Sequence, residues 1–131
     1  MNGARCGALG AGALAVLLVG CGGPPPEQVV SEFPSRQGDY RLRLTLMPSD
    51  AASVPHTLRL YVLSRDARDA GAPVASTTVE NEGSPFTGDQ VRLTWAAERT
   101  VLLCVTPRAA ARHGLRVELG EPPRVEQLSK C

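Results

Sequence analysis

The sequence predicts an all-β protein, a small antiparallel β-sandwich of six to seven strands that follows an N-terminal signal and a proline-rich tether. Polar and apolar side chains alternate at period two in most segments beyond residue 40, as in strands with one wet face. Glycine- and proline-containing turns separate these segments at spacings of about 8–12 residues, which is typical of sandwiches and barrels. No long segment repeats apolar residues at the helical period, and 131 residues suit one domain, which we place at 40–131.

The expected strands follow from these local patterns. Tyr40–Met47 alternates leucines with arginines and a threonine, and Pro48 stops it. Thr100–Thr106 is apolar on both faces, so we expect it at the centre of the fold. The other expected strands share the alternation or a β-branched composition: Thr57–Ser64, Val74–Val79, Gln90–Trp95, Leu115–Leu119 and a last one, Arg124–Leu128.

Residues 1–20 are expected to be a secretory signal that is cleaved. Arg5 is the only charged side chain before Glu27, and Ala8–Val19 is an unbroken run of small and apolar residues. The run is too short for a membrane span, which needs about 20 apolar residues. A short positive start followed by such a run is the pattern of a signal peptide.

The end of this run carries a more specific motif. Leu18-Val19-Gly20-Cys21 resembles the lipobox of bacterial lipoproteins. The resemblance implies diacylglycerol on the thiol of Cys21, cleavage between Gly20 and Cys21, and a fatty acyl chain such as palmitate on the new amine. It implies a lipid anchor in a membrane of the bacterial cell envelope. A secretory signal cut elsewhere, with Cys21 incidental, is the alternative.

A tether is expected at 21–39. Two glycines and Pro24–Pro26 follow Cys21, and prolines favour an extended, unpaired backbone. Val29, Val30 and Phe33 could instead form a first, weak strand. Gly22, rather than Asp, behind the lipid cysteine resembles lipoproteins exported to the outer membrane. We therefore expect the outer membrane, facing the periplasm, rather than the inner membrane or the cell surface.

Two cysteines remain in the mature chain once Cys6 leaves with the signal and Cys21 carries lipid. In an oxidising compartment, Cys104 and Cys131 most simply pair with each other. Cys104 lies in the most apolar strand, so a lone buried thiol is the alternative there. A bridge would pin the C-terminal residue, Cys131, onto that strand.

The sequence gives no arrangement typical of catalysis or metal binding. His56 and His113 each stand beside a turn residue without a second His or Cys at metal-ligand spacing, so we expect both on exposed loops. No G-x-S-x-G turn occurs, and the glycines of residues 7–13 have no Lys-Ser/Thr behind them. We expect a non-enzymatic protein with no catalytic residue, metal or cofactor.

The charge distribution argues against a nucleic-acid partner, while one strand face is a candidate for docking a protein. The 14 Lys and Arg are interspersed with 13 Asp and Glu, and the lack of a basic block argues against nucleic acid. Arg59, Tyr61 and Leu63 lie on the face of their strand opposite Leu58 and Leu60. We consider them a possible docking face for a partner protein. The alternative is that a second sheet covers them.

Two further resemblances concern residues beyond the lipobox. TLRLYVLSRD, PVASTTVENEG, QVRLTWAAERTVLLCVT and GLRVELG, in this order, resemble the bacterial pre-peptidase C-terminal type of β-sandwich over roughly residues 57–120. That resemblance implies an accessory domain without catalytic residues. The chain departs from it at Ala97–Thr100, where that family has Gly-x-Tyr.

The second resemblance is to outer-membrane lipoproteins of secretion systems, both the type VI lipoprotein and the small pilotin sandwiches. It is carried by Cys21, the proline-rich tether and the strand LRLYVL after the Pro-containing loop Ser53–His56. The chain has only 64–73 where the type VI family has a longer insertion. The resemblance implies a sandwich that docks a partner protein in an envelope or secretion assembly. An accessory module that binds a small ligand or a glycan is the alternative.

Overall fold

The chain forms two four-stranded antiparallel sheets. The computed structural model describes residues 26–69, 71–81 and 85–131. Sheet A has the order β1-β2-β3-β4 and sheet B the order β5-β6-β7-β8. A one-turn 3-10 helix, Gly88–Gln90, precedes β5. The strands are β1 (Gln28–Pro34), β2 (Tyr40–Met47), β3 (His56–Ser64), β4 (Ala75–Val79), β5 (Val91–Ala97), β6 (Thr100–Val105), β7 (His113–Glu118) and β8 (Arg124–Leu128).

These sheets confirm the all-β class but correct the number of strands, which is eight rather than six to seven. β1 lies inside segment 21–39, which we expected to be tether, and uses the alternative strand through Val29, Val30 and Phe33. Its pairing with β2 shifts register between Val29 and Ser31, and this irregularity obscures the period of two in the sequence. The folded domain therefore begins at Gln28 rather than at residue 40. Cys21 and the expected signal lie outside the described residues.

One hydrophobic core joins the two sheets. Every second residue of the central strands faces inward, and these leucines and valines come from both sheets. Burying such a side chain stabilises the fold by about 1.5–3 kcal/mol. β6 lies between β5 and β7, which agrees with its expected central place. The fully buried inward side chains are Leu42, Leu44, Leu58, Leu60, Val79, Val101, Leu103, Val105, Leu115 and Val117.

The strands define two ends of the molecule. At the lower end β1 begins at Gln28, opposite Leu46, and His56 pairs with Val79. At the upper end Tyr40 pairs with Ser64. An eight-residue strand such as β2 spans about 26 Å, which is roughly the distance between the ends.

A disulfide crosses sheet B near the lower end. Cys104 in β6 pairs with Cys131, and their Cα atoms lie 5.7 Å apart, within the usual range. Gly114 of β7 is the register partner of Cys104 and lies beneath the bridge. A Cβ atom at Gly114 would lie 2.5 Å from the Cys131 sulfur and would also clash with the Leu103 carbonyl oxygen. The absence of a side chain at Gly114 therefore lets the bridge cross β7.

The bridge should contribute substantially to stability. Cys131→Ser should lower the free energy of unfolding by about 3–4 kcal/mol in the chain-entropy treatment, because the bridge closes a loop between residues 27 positions apart. Urea unfolding of the wild type with and without reductant should show the same loss, while Lys130→Ala should unfold like the wild type. Two alkylatable thiols at Cys104 and Cys131 before any reduction would contradict the bridge.

Candidate functional site

The outer face of sheet A carries a hydrogen-bonded cluster around Glu27, the first residue after the proline run. The Glu27 carboxylate accepts hydrogen bonds from the hydroxyl of Thr45 in β2 and, at 2.8 Å, from that of Tyr61 in β3. Nη1 of Arg59 lies 3.8 Å from the same carboxylate. We call Glu27, Thr45, Arg59 and Tyr61 the Glu27 cluster. It fastens the chain to sheet A immediately before β1.

A second acidic residue of the N-terminal segment repeats this arrangement. Glu32 in β1 accepts from Arg41 Nη1 at 2.9 Å and from Arg43 Nε at 2.8 Å. Arg41 also donates from Nη2 to the Ala67 carbonyl oxygen at 3.0 Å, beyond the end of β3. Ion pairs this exposed contribute little to stability, because solvent screens them. Their structural effect is to hold the apolar stems of two arginines over the outer face of sheet A.

These side chains overturn the expected docking face. Tyr61 and Leu63 are only 7% and 1% exposed. The Tyr61 hydroxyl is bound by Glu27, and Leu63 is the register partner of Arg41. No second sheet lies over this face among the described residues, and the ion-paired side chains of Glu27, Arg41 and Arg43 lie on it instead. Arg59, Tyr61 and Leu63 therefore do not form an exposed apolar patch, and that hypothesis is wrong.

The histidines also differ from the expectation of exposed loops. His56 begins β3, is 7% exposed, and accepts a hydrogen bond at Nδ1 from the backbone N–H of Ser49 at 2.8 Å. Its neutral ring therefore carries the hydrogen on Nε2. His113 begins β7, and its Nε2 lies 3.0 Å from the Thr78 carbonyl oxygen of β4. One histidine thus holds the loop after β2, and the other links the two sheets.

A cleft of about 490 Å³ opens at the lower end. Leu46, Pro48, His56 and Phe86 give it apolar and aromatic walls, and Asp50 lies at its exposed rim. Asn81 donates from its amide nitrogen to the carbonyl oxygens of Ser49 and Ala51 and so braces the adjoining loop. His56 Nε2 has no hydrogen-bond partner among the described residues. The lower cleft can therefore offer one N–H donor beside apolar walls.

A second cleft, of about 440 Å³, opens at the upper end between the two sheets. Tyr40, Val62 and Val74 line it from the side of sheet A. The connection between β7 and β8 closes the other side together with Arg99 from the turn between β5 and β6, and Arg99 and Glu121 supply opposite charges. The residues from that side are Arg99, Leu119, Gly120, Glu121 and Pro123. An apolar groove with a charged rim suits a side chain of another protein.

Neither cleft was foreseen from the sequence. Each is built from the ends of strands in different sheets, so no local pattern marks it. The only available signal was that Tyr40, Val62 and Val74 are apolar residues next to strand ends. Sequence reasoning also missed Glu27, because nothing in the sequence shows that Thr45 and Tyr61 lie beside it.

The described residues contain no group of three or more His, Cys, Asp or Glu side chains placed to hold a metal ion. Within the same part of the chain, no helix is long and apolar enough to cross a membrane. No family model, curated protein or solved structure is significantly similar to this chain. Proposals about its function therefore depend on its residues and geometry alone.

Glu27→Gln should lower the free energy of unfolding at neutral pH. It should also reduce the further loss of stability that acid causes. Hydrogen bonding from Thr45, helped by Tyr61 and the charge of Arg59, holds the pKa of Glu27 below its ordinary value of 4.5, although partial burial opposes this. The folded state therefore binds the proton less tightly than the unfolded chain. The stabilisation is complete above 4.5 and is lost as the pH falls through the lower folded pKa.

Urea unfolding at neutral pH and at several points below 4.5 tests this change. The difference between wild type and Glu27→Gln should shrink as the pH falls. Glu98→Gln, at an exposed turn, is the matched control and should follow the wild type. Part of the acid sensitivity should persist in Glu27→Gln, because hydrogen bonds also lower the pKa values of Glu32 and Asp89. A difference that stays constant with pH would contradict the role of Glu27.

Proposed function

We propose that this protein is a non-enzymatic lipoprotein of the bacterial cell envelope, anchored through Cys21, whose β-sandwich docks a partner protein. The upper cleft is the observation that supports docking most directly. Tyr40, Val62 and Leu119 give it an apolar interior, while Arg99 and Glu121 at its rim can pair with charges of either sign. An apolar anchor surrounded by a polar rim is the usual anatomy of a protein interface.

The position of the cleft relative to the N-terminal segment supports the same proposal. The chain enters at the lower end, where Glu27 is fastened to sheet A. Glu27 lies six positions after Cys21, so this segment reaches at most about 20 Å when fully extended. A lipid on Cys21 would hold the lower end near the membrane surface. The upper cleft opens at the opposite end, where the anchor does not obstruct it.

The proposed partner presents an apolar side chain in an extended segment. The cleft is too small to enclose a folded element, but its volume matches that of one or two large side chains. Its walls come from both sheets and are held by the shared core, so the site is formed before binding. Preformed sites lose less conformational freedom on association.

A second candidate function, an accessory module for a small ligand, is favoured by the lower cleft. His56 is buried, and its Nδ1 is occupied by Ser49, which leaves Nε2–H as a donor toward the cleft. A neutral ligand with a hydrogen-bond acceptor and a flat apolar body fits this arrangement. His56→Phe would remove the donor and keep the ring, so it separates this candidate from docking at the upper cleft.

Cys21→Ser should abolish lipidation, because the hydroxyl replaces the thiol that takes the diacylglycerol. The wild type should incorporate labelled palmitate and partition into the detergent phase, since two or more acyl chains anchor a protein stably. The variant should do neither, whereas Cys6→Ser, in the expected signal, should behave like the wild type. If Cys21→Ser labels and fractionates like the wild type, the lipoprotein proposal is wrong.

Docking at the upper cleft should depend on Val74. A photo-crosslinking residue in place of Glu121 should give a discrete adduct in the native envelope, and Val74→Glu should reduce that adduct several-fold by placing a charge in the apolar cleft. Ala52→Glu, at the lower cleft, is the matched control. Val74 packs partly against the core, so Val74→Glu should also lower the melting temperature, and the adducts are compared at a temperature at which both variants are folded. No adduct, or one that Val74→Glu leaves unchanged, would contradict docking here.

A further inference from the structure

β8 is the least protected edge of the two sheets. It is the last strand of sheet B, and no described residue pairs with its outer side. Natural sheets protect their edges with prolines, bulges or a covering segment. β1 has a register shift and ends at Pro34, and β5 has a register shift near Trp95. β8 contains no proline and pairs with β7 without a shift.

The remaining edge, β4, is covered by contacts from sheet B. Nε2 of His113 lies 3.0 Å from the Thr78 carbonyl oxygen, and the backbone N–H groups of Arg108 and Ala109 donate to the Glu80 carboxylate. β8 has no comparable contact on its outer side among the described residues. Its side chains are exposed except for Leu128, which is half-buried.

We propose that β8 pairs antiparallel with β8 of a second copy of this chain, centred on Val125. The two copies of sheet B would then form one continuous eight-stranded sheet about a twofold axis. This surface meets the upper cleft only at Pro123 and uses none of its apolar walls from sheet A, so the proposal does not depend on partner docking there. Its partner is specified by the charges of β8 itself.

Charge complementarity selects the register. In a sheet with both cores on the same side, residues opposite each other must point to the same face. Centring on Val125 places Arg124 opposite Glu126 of the second copy, twice. Centring on Glu126 or on Arg124 would instead place like charges opposite each other, which is destabilising. The register centred on Val125 therefore forms two favourable cross-strand pairs.

The same register continues a pattern that already exists within one copy. On the outer face of sheet B, Arg116 of β7 lies opposite Glu126, and Glu118 lies opposite Arg124. Across the proposed interface the row would read Arg116, Glu126, then Arg124 and Glu118 of the second copy. Charges thus alternate in sign across all four strands. The opposite charges of Arg124 and Glu126 on this edge are complementary to those of a second copy.

Val125 supplies the apolar centre. It lies on the core side of sheet B, opposite Val117, yet it is 46% exposed. Pairing would bring two such valines together. Pro123 would stand opposite Gln127 and end the ladder, since proline has no N–H. The interface is therefore short, and we expect a weak dimer whose population rises with concentration.

The fold holds this strand in place despite its small buried area. Cys131 follows β8 by three residues, and its bridge to Cys104 ties the end of the strand to β6 across β7. The edge is therefore ordered before pairing, which reduces the entropy lost on association.

Disulfide trapping tests both the dimer and its register. Val125→Cys and Gln127→Cys are introduced separately into the full-length chain, which is expressed in a bacterial host, purified in detergent and oxidised mildly. In the proposed register the two Val125 positions are directly opposite, whereas the two Gln127 positions are four residues apart along the strands, about 13 Å. Val125→Cys should therefore form covalent dimers in several-fold higher yield. Crosslinks through the native cysteines would form equally in both variants and in the wild type, so the wild-type yield serves as the background.

Adding Glu126→Arg to Val125→Cys should reduce the yield several-fold, because it places arginines opposite each other. Thermal unfolding under reducing conditions checks that each variant is folded, and the mass of the wild type in detergent gives an independent measure. Equal yields from the two cysteine variants, or a wild type that stays monomeric at the highest concentration reached, would overturn the proposal. If the photo-crosslinker at position 121 captures no partner while Val125→Cys still forms the covalent dimer, docking at the upper cleft is contradicted and the β8 proposal is not.

Discussion

The burial of alternating leucines and valines between two sheets is the constraint on which the rest of this structure depends. Leu44 and Leu60 in sheet A, and Leu103 and Leu115 in sheet B, lose nearly all contact with solvent. Because side chains alternate along a strand, this inward set leaves every other residue pointing outward. The outer faces are thus available for the Glu27 cluster, the disulfide and the charged rows of β7 and β8. The clefts lie where the core ends and the loops begin.

The sequence predicted the parts of the fold that follow from alternation and missed the parts that follow from long-range contact. β2, β3, β6 and β8 lie within two residues of their expected bounds, since each has a clear period or an apolar run. The bridge between Cys104 and Cys131 followed from counting cysteines. β1 was harder to recognise because its register shift breaks the period of two between Val29 and Ser31.

Tyr61 illustrates a different limit. Its place on the outward face was correct, but its hydroxyl is bound by Glu27, which lies 34 positions earlier in the chain. Outward side chains are usually solvent-exposed in a sheet that faces solvent on one side. Long polar side chains can nevertheless cover an aromatic ring while keeping their charged ends exposed. The apolar residues Tyr61 and Leu63 therefore do not indicate a docking surface. The clefts depend on loop geometry, which the sequence pattern does not specify.

The proposed lipid anchor and the proposed β8–β8 dimer together limit how the molecule can be oriented on a membrane. The twofold axis of the proposed dimer runs perpendicular to the sheets, so both copies of sheet A lie on the same side. Glu27 is fastened to the outer face of sheet A, and both N-terminal segments therefore leave from that common face. Antiparallel strands place the two lower ends at opposite ends of the dimer. With at most about 20 Å between Cys21 and Glu27, both lipids reach one membrane only if the sheets lie roughly parallel to it. The two upper clefts would then open sideways along the membrane surface, toward a partner held in the same membrane.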